Sequence, residues 1–78
     1  MQLGCGVTTK EIRGRPYLYF WQYEDRGGRR VQAFRYLGSA RSDAARKRLE
    51  EALDAYLERL DAEIRRRRGE ILSRALPP

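Results

Sequence analysis

Between Tyr17 and Tyr23 the chain reads YLYFWQY, in which six of seven residues are hydrophobic and five are aromatic. Nothing else in the sequence limits the fold as strongly. Aromatic side chains fit a pleated, half-buried surface, so the run predicts a strand over Tyr17–Glu24. Arg26-Gly27-Gly28-Arg29 follows, and paired glycines suit the positive φ angles of a tight hairpin. A return strand is predicted over Arg30–Leu37, ended by Gly38. Upstream, Val7–Ile12 is a short, weakly alternating strand, broken by Gly14-Arg15-Pro16.

The pattern then changes period. Ser42 is a suitable N-cap, and Asp43 stands where the helix dipole favours an acid. Leu49, Leu53, Tyr56, Leu60 and Ile64 follow at spacings of 4, 3, 4 and 4, one stripe of a helix that Ala45, Ala52 and Leu57 widen. Arg46/Glu50, Lys47/Glu51, Arg59/Glu63 and Asp61/Arg65 are candidate i,i+4 ion pairs. Residues 42–68 are therefore read as one long amphipathic helix with Gly69 as its C-cap. Residues 69–78 are read as a short basic tail, in which Ile71, Leu72 and Leu76 form a last turn before Pro77-Pro78. The fold expected is α+β: a small β-β-β-α domain of 78 residues whose antiparallel sheet is packed by one long C-terminal helix.

A two-residue Gly27-Gly28 loop would place Tyr23 opposite Gln32, Trp21 opposite Phe34 and Tyr19 opposite Tyr36. One face then holds Tyr17, Tyr19, Trp21, Tyr23, Phe34 and Tyr36. The other holds Leu18, Phe20, Gln22, Glu24, Val31, Ala33, Arg35 and Leu37. A loop of odd length would change this division. The aromatic face is the one expected to bury against the helix, because a thin core needs large side chains. Phe20 and one edge tyrosine are the expected exceptions, free to stack on a base. A helix over Asp43–Arg68 is about 39 Å long and an eight-residue strand about 26 Å. The helix therefore overshoots its sheet, and Leu53, Tyr56, Leu60 and Ile64 are candidates for a homodimer or partner interface.

Charge narrows the function. Lys plus Arg is 17 and Asp plus Glu 11, a net charge of +6. Residues 1–41 carry eight basic and three acidic groups, 42–64 four and seven, and 65–78 five and one. A polyanion would meet the first and third blocks. Arg13, Arg15, Arg26, Arg29, Arg30 and Arg35 cluster on the strands and turns and are candidate phosphate contacts. Gln22 and Arg35 are candidates for reading bases in a major groove. Arg65, Arg66, Arg67 and Arg68 form a possible second phosphate clamp, or a solubilising helix end. With no histidine, one cysteine and no nucleophile–base pair, neither an enzyme, a cofactor nor a bound metal is expected. No run reaches the ~20 apolar residues of a membrane span, and MQLGCGVTT lacks the basic region of a secretory signal; a cytoplasmic, or nucleoid-associated, protein is expected.

The segment KEIRGRPYLYFWQYEDRGGRRVQAFRYLGSARSDAARKRLEEAL, with its Gly-Gly-Arg-Arg turn and closing YLGS, resembles the arm-type DNA-binding domain of tyrosine integrases. Its YLYFWQYEDRGGRRVQAFRYLG stretch is also similar to the leading hairpin of some transposases and to small proteins linked to mobile elements. The likeness covers about residues 8–60. It implies a three-stranded sheet backed by a helix and laid in the DNA major groove, with Gln22, Arg29, Arg30 and Arg35 on the groove-facing strands. An integrase catalytic domain is absent from this sequence, and the helix is longer than that module needs. The expectation is a small basic protein that binds duplex DNA through an arginine-rich sheet, in a regulatory, architectural or mobile-element role, with no small-molecule substrate. Its alternatives are an RNA- or ribosome-associated protein using exposed aromatics, and a helical protein-interaction module.

Overall fold

Two glycine-bearing turns set the sheet. The computed structural model describes residues 4–75. Over them β1 (Cys5–Ile12), β2 (Arg15–Arg26) and β3 (Arg29–Ser39) form an antiparallel sheet in the order β1-β2-β3, followed by α1 (Asp43–Ala75). The fold is thus α+β, as expected. Gly27 (φ 57°) and Gly28 (φ 80°) form a two-residue hairpin loop of the kind whose twist matches the flanking strands. The first connection is equally tight: Arg13 (φ 52°) and Gly14 (φ 76°) make the turn, and Arg15 already pairs with Ile12. The break read at Gly14-Arg15-Pro16 is therefore shorter than expected, and β2 begins at Arg15, one residue before the Pro16 start that the sequence suggests. Leu76 and the two terminal prolines lie outside the described residues.

The register is that of a two-residue loop. Tyr23 faces Gln32, Trp21 faces Phe34 and Tyr19 faces Tyr36. Beyond Tyr36 the ladder shifts, so that Gly38 faces Leu18 and Leu37 is the extra residue of a bulge. Ser42 caps α1 through its Oγ, which accepts from the amides of Ala44 (3.2 Å) and Ala45 (3.4 Å).

The helix covers the other face of the sheet from the one expected. The core is Phe20 (4% exposed), Leu37 (1%), Ala45 and Ala52, with Cys5, Leu18, Leu49 and Tyr56 packed against it. Small residues explain the choice. Ala45 and Ala52 lie two turns apart on one face of α1, and Gly38 of β3 meets Ala45, so backbone approaches backbone. A Cβ at Gly38 would lie 3.2 Å from the Cβ of Ala45. Six bulky rings would hold the helix away. Two polar residues of this face, Gln22 and Arg35, are accommodated without full burial. Arg35 sits exposed on the edge strand β3, and the Gln22 Oε1 accepts a 2.8 Å hydrogen bond from Arg59 of the helix. Arg48 ties the bulge down, donating to the Leu37 carbonyl at 2.9 Å.

Gly38 has φ 128°, a conformation L side chains rarely adopt, besides its contact with Ala45. Gly38→Ala is expected to cost roughly 1–3 kcal/mol in denaturant unfolding. The same substitution at Gly69, where nothing lies within 4 Å, is expected to stabilise by about 1 kcal/mol.

Gly69 does not end the helix, contrary to expectation: α1 runs on to Ala75. The Arg66–Glu70 ion pair bridges that position from one turn to the next. Of the four expected pairs only Asp61–Arg65 forms among the described residues, at 3.2 Å. Arg59 is diverted to Gln22, and Glu63 instead accepts from Arg66 and Arg67. At 33 residues α1 is about 50 Å long, which draws the molecule out to 63 × 27 × 19 Å. Among the described residues, no helix is long and apolar enough to cross a membrane.

Candidate functional site

Because α1 takes the Phe20 face, the aromatic face is left uncovered. Strand alternation puts Tyr17, Tyr19, Trp21 and Tyr23 of the central strand on it, with Phe34 and Tyr36 beside them on β3. From β1 it receives Gly6, Thr8 and Lys10, which pair with Trp21, Tyr19 and Tyr17. Phe34 is 52% and Tyr36 56% exposed. The rings support one another: Tyr36 lies tilted 5.4 Å from Tyr19 and 6.1 Å from Tyr17, and Trp21 meets Tyr23 edge-on at 5.5 Å and 69°.

Trp21 lies close to β1 for a specific reason. A Cβ on Gly6 would come within 2.6 Å of its Cζ2, so the indole packs against bare glycine backbone. Trp21 remains partly exposed. A glycine at position 6 therefore admits the indole where any other residue would displace it.

Cations border the rings. The Lys10 ammonium stands 5.0 Å from the Tyr19 centroid and 5.4 Å from that of Phe34, and the Arg30 guanidinium lies 4.2 Å over Tyr23. Arg15 follows the alternation of Tyr17 and falls on the same face, while Arg13 occupies the adjoining turn. The face thus combines flat apolar surfaces with positive charge held a few ångströms above them.

The remaining candidates are distributed elsewhere. Phe20 is a correction: a ring 4% exposed in the core has no face to offer a base. Gln22, Arg26, Arg29 and Arg35 take the helix-side alternation. Gln22 is engaged there, donating to Glu24 at 3.1 Å while it accepts from Arg59. Arg26 forms a 2.8 Å ion pair with the same carboxylate. The bonds from Gln22 and then Arg26 hold the Glu24 pKa below its ordinary value. Arg65, Arg66, Arg67 and Arg68 lie far along α1, and the first three pair with Asp61, Glu63 and Glu70. Burial pushes the Cys5 thiol up, away from a reactive thiolate.

Sequence reasoning missed Lys10 and expected the aromatic face to be buried, keeping exposed aromatics for the RNA-binding alternative. The signal was present in Gly6 and in the alanines at 45 and 52, which mark where backbone can approach ring or strand closely. No protein-family model, curated protein or solved structure matches the chain.

Proposed function

We propose that the protein binds single-stranded nucleic acid, stacking unpaired bases on the open aromatic face and holding their phosphates with Lys10, Arg13, Arg15 and Arg30. The observation that carries this reading is the uncovered sheet face, with half-exposed Phe34 and Tyr36 beside an indole packed against Gly6. Every base has a π-face, so such a platform is tolerant of sequence and contributes about 1–3 kcal/mol per stacked base. A duplex keeps its bases stacked on each other and offers a groove only edges and phosphates. Reading those edges calls for polar forks, and here Gln22 and Arg35 take the side of the sheet that the helix covers.

Affinity should fall steeply with salt, because each phosphate neutralised releases counterions. Arg30→Ala is expected to shallow the slope of log K against log salt by about 0.7, the value for one contact to a single strand. Arg66→Ala, remote and already paired with Glu63 and Glu70, is expected to leave the slope unchanged. Fluorescence anisotropy of labelled single-stranded RNA and DNA at several salt concentrations reads both. Equal slopes for the wild type and Arg30→Ala would remove Arg30 from the interface.

A further inference from the structure

The single apolar stripe read on the helix divides into two seams in the structure. Ala45, Leu49, Ala52 and Tyr56 face the sheet, and Tyr56 is fixed there by the 3.0 Å hydrogen bond its hydroxyl accepts from Gly4. Tyr56 therefore leaves the expected partner interface. Leu53, Leu57, Leu60, Ile64 and Ile71 make the second seam, at spacings of 4, 3, 4 and 7, and all but half-buried Leu60 are exposed. Alternating steps of 4 and 3 are the spacing of a helix that packs lengthwise against another helix. The missing position between Ile64 and Ile71 is Arg67. Its guanidinium is paired with Glu63 one turn back at 3.1 Å, and a long cationic side chain so held can still lend its aliphatic stem to an apolar seam. Arg66 and Arg67 lower the Glu63 pKa to about 2, so this carboxylate stays charged at neutral pH.

We propose that α1 pairs antiparallel with α1 of a second copy of this chain through Leu53, Leu57, Leu60, Ile64 and Ile71. Charge decides both the occupant and the direction. Residues 50–61 carry five acidic groups and one basic, a net of −4, and residues 62–75 carry five basic and two acidic, a net of +3. The helix is its own electrostatic complement when reversed. A parallel pair would set like charge against like along the whole seam and Arg67 against the partner's Arg67. Reversed, with Leu60 against the partner's Ile64, Leu53 meets the partner's Ile71 and Arg67 meets the partner's Leu57. Four of six layers are then purely apolar, and no layer opposes two cations.

This pairing stands independently of nucleic-acid binding, and its test needs no ligand. Sedimentation equilibrium of the wild type should give twice the 9.2 kDa chain mass. Ile64→Asp, at an exposed site with no core contact, should give the single-chain mass with the same far-UV spectrum. For direction, Leu53→Cys and Ile71→Cys are made separately in a Cys5→Ala background, mixed, and oxidised. The cross-linked product should be the mixed disulfide between the two variants. Disulfides of each variant with itself in place of the mixed one would overturn the antiparallel arrangement. A wild type that stays at the single-chain mass at high concentration, or an Ile64→Asp variant that stays paired, would overturn the pairing itself.

Discussion

A protein carrying Phe34→Ala together with Tyr36→Ala is expected to keep its fold and to bind a single-stranded oligonucleotide at least about 30-fold more weakly than the wild type. Each ring lost from a stacking platform costs about 1–3 kcal/mol of binding, so two cost roughly 2–6 kcal/mol, and 1.4 kcal/mol is tenfold in affinity. The fold should survive because both rings are more than half exposed and neither belongs to the core. Tyr36 also props Tyr19 and Tyr17, so the remaining rings lose some of their order, which adds to the loss. Anisotropy against labelled single strands measures the affinity, and thermal unfolding checks the fold. Wild-type affinity in a well-folded double variant would separate the aromatic face from the binding site.

The second large effect concerns stability. Phe20→Ala removes the largest ring of the core, and buried Phe→Ala substitutions cost about 3–5 kcal/mol. A domain of this size has a thin core and stands near the low end of the 5–15 kcal/mol usual for native proteins. The variant is therefore expected to be largely unfolded near body temperature. Phe34→Ala, one residue type and one substitution compared on the two faces, is expected to cost less than about 1 kcal/mol. Urea unfolding of the pair measures the difference directly. The reverse order, with Phe34 the costly site, would mean that the helix covers the aromatic face after all.

That contrast marks where the sequence was legible. The β2–β3 hairpin, and its register once a two-residue loop is taken, followed from two local signals, aromatic enrichment and Gly27-Gly28, because each acts over a few residues and needs no knowledge of the rest of the chain. The N-cap at Ser42 was readable for the same reason. The choice of buried face was not. Counting apolar side chains favours the six rings, but packing is decided by how closely backbones approach, and Gly38, Ala45 and Ala52 allow that on the other side. Tyr and Trp can stay partly wet through their polar atoms, so burial is less compulsory for this face than its hydrophobicity suggests. The helix end was misplaced for a similar reason: Gly69 is a good stop in isolation, and the Arg66–Glu70 pair across it is a medium-range interaction. As to the candidate site, the basic residues were visible as a group. Their division between the two faces depended on the same unread choice, which left Arg15 and Arg30 with the rings, beside the unexpected Lys10, and put Arg35 with Gln22 on the helix side.

The first measurement to make is a titration followed by the fluorescence of Trp21, the only tryptophan in the chain, which packs against Gly6 in the middle of the proposed platform. The titrants are a single-stranded oligonucleotide and a duplex of the same sequence, each at two salt concentrations. Strong quenching by the single strand, tighter at low salt, with weak or no quenching by the duplex, is the expected result. Tight binding of the duplex with Trp21 unquenched, or no binding of either, would contradict base stacking on the open face.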